Sequence, residues 1–587
     1  MFNARMEKSM TFLSHPWFRS FSFRSVSGSL LVSTGLAILL LLTGCGGGGG
    51  GGGDAGGGTT TVLVPDTDAL ITPGNLVRHS MVGGMPNVFA LPTPGGVATF
   101  GVTIVHTASS PTYATVEITS PPTGVTAARA QPAALTAPAA PMGAPGPEML
   151  ANRPFELSGS PRLPPGQLAI DQQLRARLRG ASLPRPAGRL GNLVRAEAGQ
   201  PPVYPDHRNE QLNDTITLWI YARSTLGTEY VQRRATLRRI GARCKIFVDP
   251  EDFQGLSAVT GPYAISEADL DQMVNDFDTV GWPLITGGYG QPWDIDQDGK
   301  ISIFFSPLVA KNGFAGFFDT KHYEQVNADG TVNDKGNNRD LIAIWSPGLS
   351  SEWVGEKWLS AARETCIHEF QHLVSYSLRA AQNNWPAFLA DDKLEEVWLD
   401  ECMAVAAEAR FRILRGDPAG EDRFNSYAAG DPAASSLTGF AWNLAAYGHL
   451  GLFGLYLWEQ GGDEAIRSIL QASTRGKATI DAVFASRGGL LGLYPDFGMA
   501  VLTEGLRSQG KLSAASHAAL PARYRFARPL GLTLRAEALS GGTTKPAIAP
   551  LGTSYHFVTL PAGFAQSSYS LTMTGPAGIT VSVIRLP

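Results

Sequence analysis

His368-Glu369-Phe370-Gln371-His372 is the stretch on which the reading of this chain turns. An α-helix places residues four apart on one face, so two histidines at this spacing can reach one metal ion. Imidazole is a good zinc ligand, and a catalytic zinc takes three protein ligands and keeps one position for water. Glu369, next to the first histidine, is placed to accept a proton from that water. The helix is supported on both sides. Ala361-Ala362-Arg363-Glu364-Thr365 leads in with good helix formers, and Leu373-Val374 continues it. A chance match to such a pattern in a chain this long is on the order of a few per cent, so context has to decide. The alternative is a helix with two unrelated histidines, and a glutamate buried beside them without a partner would be costly there.

Trp398-Leu399-Asp400-Glu401 opens a second, alanine-rich helical stretch, and Glu401 lies 29 residues past His372. That interval holds the end of the first helix, a loop through Asn383-Asn384-Trp385-Pro386 and a returning helix. Glu401 can then point back at the histidines as the third ligand. Glu408, seven residues further on the same helical face, can accept a hydrogen bond from a ligand histidine. Glu395, Glu396 and Asp400 are close in sequence and compete with Glu401 for the ligand role.

The chain has 587 residues, too many for one compact core, with 43% hydrophobic and 17% charged residues. Net charge is −4 and no Lys/Arg block follows the N-terminal region, which argues against nucleic acid as the main partner. Arg5, Lys8, Arg19 and Arg24 precede a short apolar run, Leu30 to Leu42, as in a secretory signal rather than a membrane span. Leu42-Thr43-Gly44-Cys45 resembles a bacterial lipobox, which implies lipidation of Cys45 as the first mature residue. An ordinary signal peptide or anchor with an incidental cysteine is the alternative. Gly46 to Gly53 would then be a flexible tether. In the lipoprotein pattern Gly46 after the cysteine implies outer-membrane sorting, or more broadly an envelope or extracellular location. The remaining cysteines, Cys244, Cys366 and Cys402, allow one disulfide or none.

Alternation over residues 62–126 predicts a small β module, and residues 127–205, rich in Ala, Pro, Arg and Gly, read as linker or propeptide. Residues 206–520 carry the metal motif. Thr217–Tyr221, Lys245–Val248, Ile301–Phe305 and Leu341–Trp345 look like strands, Tyr230–Ile240 has helical character, and Ser266 caps a helix. Beyond residue 355 the pattern is mostly helical, and residues 521–587 read as a C-terminal β module. The fold class is α+β.

Thr365-Cys366-Ile367-His368-Glu369-Phe370-Gln371-His372, then Trp398-Leu399-Asp400-Glu401 and Glu408, resemble the gluzincin pattern, and within it the hyicolysin-like metallopeptidases. Asp294-Ile295-Asp296-Gln297-Asp298-Gly299-Lys300, Gly313 to Asp319 and Asn338 to Ile342 add weaker support, and the resemblance covers roughly residues 210–510. It implies a zincin-like catalytic domain: a mixed sheet with the active helix, then a helical half, flanked by small β modules. It also implies Zn2+ on His368, His372 and Glu401, with Glu369 as general base cutting protein or peptide substrates. The chain departs from the pattern at Cys402, where such families have glycine, and this puts the pocket shape in doubt. Related enzymes place a tyrosine after the third ligand to stabilise the oxyanion, which makes Tyr447 a candidate, with His449 beside it. Both also fit a packed apolar stripe.

Asp294, Asp296, Asp298 and Gly299 match the first half of a Ca2+ loop, but Phe305 stands at its twelfth position, and a plain Asp/Gly turn explains the segment as well. Two other functions fit the sequence: a surface lipoprotein whose β modules bind a partner and whose zinc is structural, and an amidase acting on cell-wall peptides.

Overall fold

The computed structural model describes residues 65–123 and 207–587, apart from 66, 94–95, 109–111, 225–226, 252–263, 328–330, 348–353, 385–388, 418–421, 442 and 565–567. The leader, Cys45, the glycine tether and the 127–205 segment lie outside the described residues.

The architecture is α+β. Its central unit is a mixed six-stranded sheet. In chain order the strands are β6 (Thr215–Ser224), β7 (Gly227–Ile240), β8 (Cys244–Val248), β9 (Ile301–Ser306), β10 (Gly316–Phe318) and β11 (Leu341–Trp345). Their spatial order is β10-β11-β9-β8-β7-β6. The middle three strands run parallel and are buried along their whole length, as continuous apolar runs such as Ile301 to Phe305 require. β10 and the β6–β7 hairpin are antiparallel additions at the two edges.

Tyr230–Ile240, expected as helix, is most of strand β7. Ala235 and Leu237 are buried while Gln232 and Arg234 are exposed, a period of two that packing enforces over the helix preference of the arginines. Helix α1 (Glu267–Asp276) starts at Ser266 with a capping box: Ser266 accepts from the Asp269 N–H and Asp269 accepts from the Ser266 N–H.

Four longer elements build the helical half: α2 (Gly355–Gln382), α3 (Val397–Arg415), α5 (Leu444–Gln471) and α6 (Gly489–Ser508), with the short α4 (Asp422–Ala428) between α3 and α5. Helix α2 is buried on most of its circumference. Phe370 stacks on Trp282 at 5.6 Å, and Leu359, Ala362 and Cys366 face the sheet side of the core. Helix α5 is kinked at Gly462, whose φ is 66°.

Helix α5 crosses α3 and α4 closely, and glycine makes that approach possible. A Cβ on Gly454 would lie 2.6 Å from the Cys402 carbonyl oxygen, and one on Gly448 would overlap the Arg423 carbonyl. Gly448→Ala should therefore lower stability by about 1–3 kcal/mol, read from chemical denaturation midpoints. Unchanged stability would show that α4 yields freely.

The two terminal β stretches are not separate modules. β1 (Leu76–Ser80), β2 (Asn87–Pro92), β3 (Ala98–His106), β4 (Ala114–Thr115) and β5 (Glu117–Ser120) interleave with the C-terminal strands. These are β12 (Glu537–Ala538), β13 (Gly542–Thr544), β14 (Ala547–Ile548), β15 (Thr553–Leu560), β16 (Ser568–Thr574) and β17 (Ile579–Arg585). One sheet runs β1-β17-β3-β15-β12, the other β13-β5-β16-β2, with β14-β4 as a two-stranded addition. Phe89, Phe100, Ile104, Leu571 and Val581 fill the space between them, each 0% exposed. Because β3 sits between β15 and β17, and β16 between β2 and β5, a fragment of residues 206–587 leaves these C-terminal strands with unpaired edges. That fragment should be insoluble or melt well below the full chain, and a full-chain melting profile would overturn this.

Candidate metal centre

The α2–α3 pair brings three acceptor atoms together. His368 Nε2 and His372 Nε2 are 3.0 Å apart, and Glu401 Oε2 lies 3.3 Å from the first and 3.7 Å from the second. One-turn spacing on α2 aligns the histidines, and the start of the second turn of α3 delivers the glutamate. All three residues are shielded from solvent. His368 and Glu401 are buried, and His372 is partly so.

The proton positions follow from the partners. His368 Nδ1 is 2.5 Å from Glu408 Oε1, which holds the ring proton on Nδ1 and leaves Nε2 a lone pair. His372 Nδ1 lies 3.2 Å from Asp400 Oδ2, at ion-pair range without the alignment of a full hydrogen bond. Glu408 is in turn gripped by Arg423, whose Nη1 donates to Oε1 over 3.2 Å and whose Nη2 pairs with Oε2. Two imidazole nitrogens and a carboxylate oxygen thus face one another, and Glu401 Oε2 is buried with no hydrogen-bond donor. Such a set is unfavourable without a cation between its members. A tetrahedral zinc with bonds of about 2.0–2.1 Å separates its ligand atoms by about 3.3 Å, which the three measured distances bracket. Nitrogen and oxygen donors of this kind suit zinc.

The electrostatics agree. Burial disfavours a protonated His372, but Asp400 and Glu401 outweigh it and hold its pKa well above the ordinary value. Burial would raise Glu401, yet the two imidazoles keep it well below the carboxylate range. The pocket thus takes up positive charge even when a proton has to supply it.

Glu369 is fixed from the sheet side: the Phe318 N–H of edge strand β10 donates to its Oε2 over 2.9 Å. Burial raises the Glu369 carboxyl, His368 and His372 pull it down, Glu401 adds to the rise, and the outcome is a pKa above the usual value. A carboxyl so perturbed beside a cluster of ligand-type atoms is a candidate for proton exchange.

Asp400 lies beside His372, and Arg423 completes a buried His–Glu–Arg chain through Glu408 and His368. The sequence offered no signal for Arg423, which lies 15 residues beyond Glu408 across a loop. Glu408→Gln should weaken zinc binding by about 10- to 100-fold, checked by competition with a chromophoric chelator. An unchanged affinity would make the Glu408 contact incidental.

The oxyanion candidates part company. His449 is a core residue. Its Nδ1 meets Ser435 Oγ at 3.1 Å, its Nε2 meets the Tyr494 hydroxyl at 2.8 Å, and burial pushes its pKa down to about 3. Tyr447 is buried edge-on to Phe440 at 4.9 Å, close enough to Arg423 to act on its charge. Cys402 does not crowd the site: its thiol donates to the Leu450 carbonyl over 3.2 Å, towards α5. Cys244, Cys366 and Cys402 are all free and buried, so none forms a disulfide with another.

Over 215 residues the chain is 25% identical to the neutral metalloprotease ShpI of Staphylococcus hyicus. The match covers 35% of this chain and spans 46% of that relative's length. No protein-family profile matches the chain.

Proposed function

We propose that the chain is a zinc-dependent endopeptidase of gluzincin type, related to the hyicolysin-like enzymes, with a zincin-like catalytic domain. His368, His372 and Glu401 would hold the metal, and Glu369 would act as general base. The observation that carries this reading is the convergence of three acceptor atoms at zinc-ligand spacing, one of them a buried oxygen without a donor.

A bound zinc supplies Lewis acidity, polarising the scissile carbonyl and lowering the pKa of a water to about 7. The chain's own groups do the rest. Glu408 and Asp400 set the imidazole planes through Nδ1. Phe318 N–H holds Glu369 in place, so the carboxylate can take the water's proton and pass it to the departing amine. Arg423 neutralises Glu408, so a single ligand partner does not carry an uncompensated buried charge. Tyr447 is the remaining side-chain candidate for the oxyanion, since the ring nitrogens of His449 are committed.

The deciding experiment is metal analysis of the purified full chain together with casein or peptide-library cleavage. About one zinc per chain and activity lost to a chelator and restored by zinc are expected. A zinc-loaded, folded protein that cleaves no peptide would leave a structural metal in a binding lipoprotein. Cleavage confined to cell-wall peptides would make it an amidase.

Cys45, by its lipobox-like setting, would tether the enzyme to the bacterial envelope through lipid. No helix among the described residues is long and apolar enough to cross a membrane.

A further inference from the structure

A second cluster of ligand-type atoms lies apart from the three-residue centre. Asp294 and Asp296 belong to the loop that leads into β9, and Asp340 immediately precedes β11. Strands β9 and β11 are adjacent and parallel, so their entry points meet, and one carboxylate oxygen from each aspartate falls within 4.8 Å of the others. Oxygens bound to one calcium at about 2.4 Å can be at most about 4.8 Å apart.

Asp296 is the decisive residue. It is 0% exposed, and neither of its carboxylate oxygens has a hydrogen-bond partner. The neighbouring cations are committed elsewhere. Lys245 Nζ donates to the His207 carbonyl at 2.6 Å and to Glu210 at 2.9 Å, and it is ion-paired with Asp298 at 2.7 Å. Arg339 donates to Glu210 and to Ser302. Asp340 is also 0% exposed, and it accepts from the Ile295 N–H at 2.9 Å and the Tyr323 hydroxyl at 2.5 Å, which aim it at the loop. Leaving a buried carboxylate unpaired beside two others is expensive unless a cation occupies the space between them.

We propose that Asp294, Asp296 and Asp340 form a second cation site, independent of the zinc centre, that takes a hard divalent ion of the calcium class. Its donors are all oxygen, without His or Cys, which selects against zinc. A cavity of about 190 Å³ lined in part by Asp294, Gly299 and Asp340 gives ion and water a route in. Asp298, the third acid of the linear motif, is spent on Lys245, and Asp340, 42 residues further along the chain, takes its place. Without a cation, burial foremost and then Asp340 and Asp298 push the Asp296 carboxyl up to about 9. The ion would also brace the active helix, because Trp293, next to Asp294, donates its backbone N–H to Ser377 Oγ on α2 over 3.2 Å.

The test uses the zinc-loaded full chain after calcium removal with a calcium-selective chelator. Titration with CaCl₂ should show one saturable site and raise the melting temperature by roughly 5 °C at about a hundredfold excess over Kd. Tb3+ should bind in its place, with luminescence excited through Trp293. Asp296→Asn should abolish both responses and keep its zinc. In calcium-free buffer it should melt no lower than wild type, since burial already keeps the Asp296 carboxyl protonated there and the amide replaces one neutral group with another. The proposal is overturned if the wild type shows neither calcium response nor terbium luminescence, or if Asp296→Asn keeps both. Misfolding of that variant would move the test to Asp294→Asn, whose side chain is exposed and whose amide oxygen can still accept the Gly299 N–H, and retention of full calcium affinity there would equally overturn it.

Discussion

Glu369→Gln should lower kcat/KM for peptide cleavage by about 10²- to 10⁴-fold, the usual contribution of a positioned general base, while zinc content stays at the wild-type level. The substitution is nearly isosteric. The amide oxygen can still accept the Phe318 N–H, so the β10–α2 contact survives. What disappears is the basic oxygen that takes the proton and returns it to the leaving amine. Glu369 is not among the three atoms at ligand distance, so metal affinity has no reason to fall. A variant that cleaves casein at the wild-type rate would remove Glu369 from the mechanism.

Glu401→Ala should lose the metal itself. It removes the sole acid that completes the cluster, leaving two imidazole nitrogens 3.0 Å apart. A change at Glu408, which only orients a ligand, costs about 10- to 100-fold in affinity. Removing a ligand should cost more, so the variant should emerge from dialysis with almost no zinc and show background activity. Retention of about one zinc per chain would hand the third-ligand role to another acid, and Asp400, beside His372, would be first in line. Because Glu369→Gln keeps zinc and Glu401→Ala loses it, the pair separates base from ligand in a way that activity alone cannot.

Local regularities carried the sequence reading furthest. Helix period alone put His368 and His372 on one face, and the return of a second helix put Glu401 within reach, because α-helical geometry is fixed by the backbone and independent of distant contacts. The apolar runs Ile301 to Phe305 and Leu341 to Trp345 were legible as strands for a similar reason, and their parallel pairing came from the fold. Tyr230–Ile240 was not. Its arginines and alanine favour a helix by weak propensity, and pairing with β6 and β8 overrides that preference. His449 was ambiguous because Tyr494 and Ser435, which use up its nitrogens, are 45 and 14 residues away in sequence.

The sequence by itself determined the candidate ligand set: two histidines one turn apart, a glutamate beside the first, and an acid on the next helix. Tertiary structure alone decided the rest, because each remaining feature depends on groups far apart in the chain. Arg423 reaches Glu408 across a loop, Asp340 replaces Asp298 beside Asp296 through the parallel pairing of β9 and β11, and β3 enters the sandwich between β15 and β17 from more than 400 residues away. Periodicity encodes which face of an element is buried. It does not encode which distant element covers that face, and here that choice sets the supports of the metal centre and the unity of the β-sandwich.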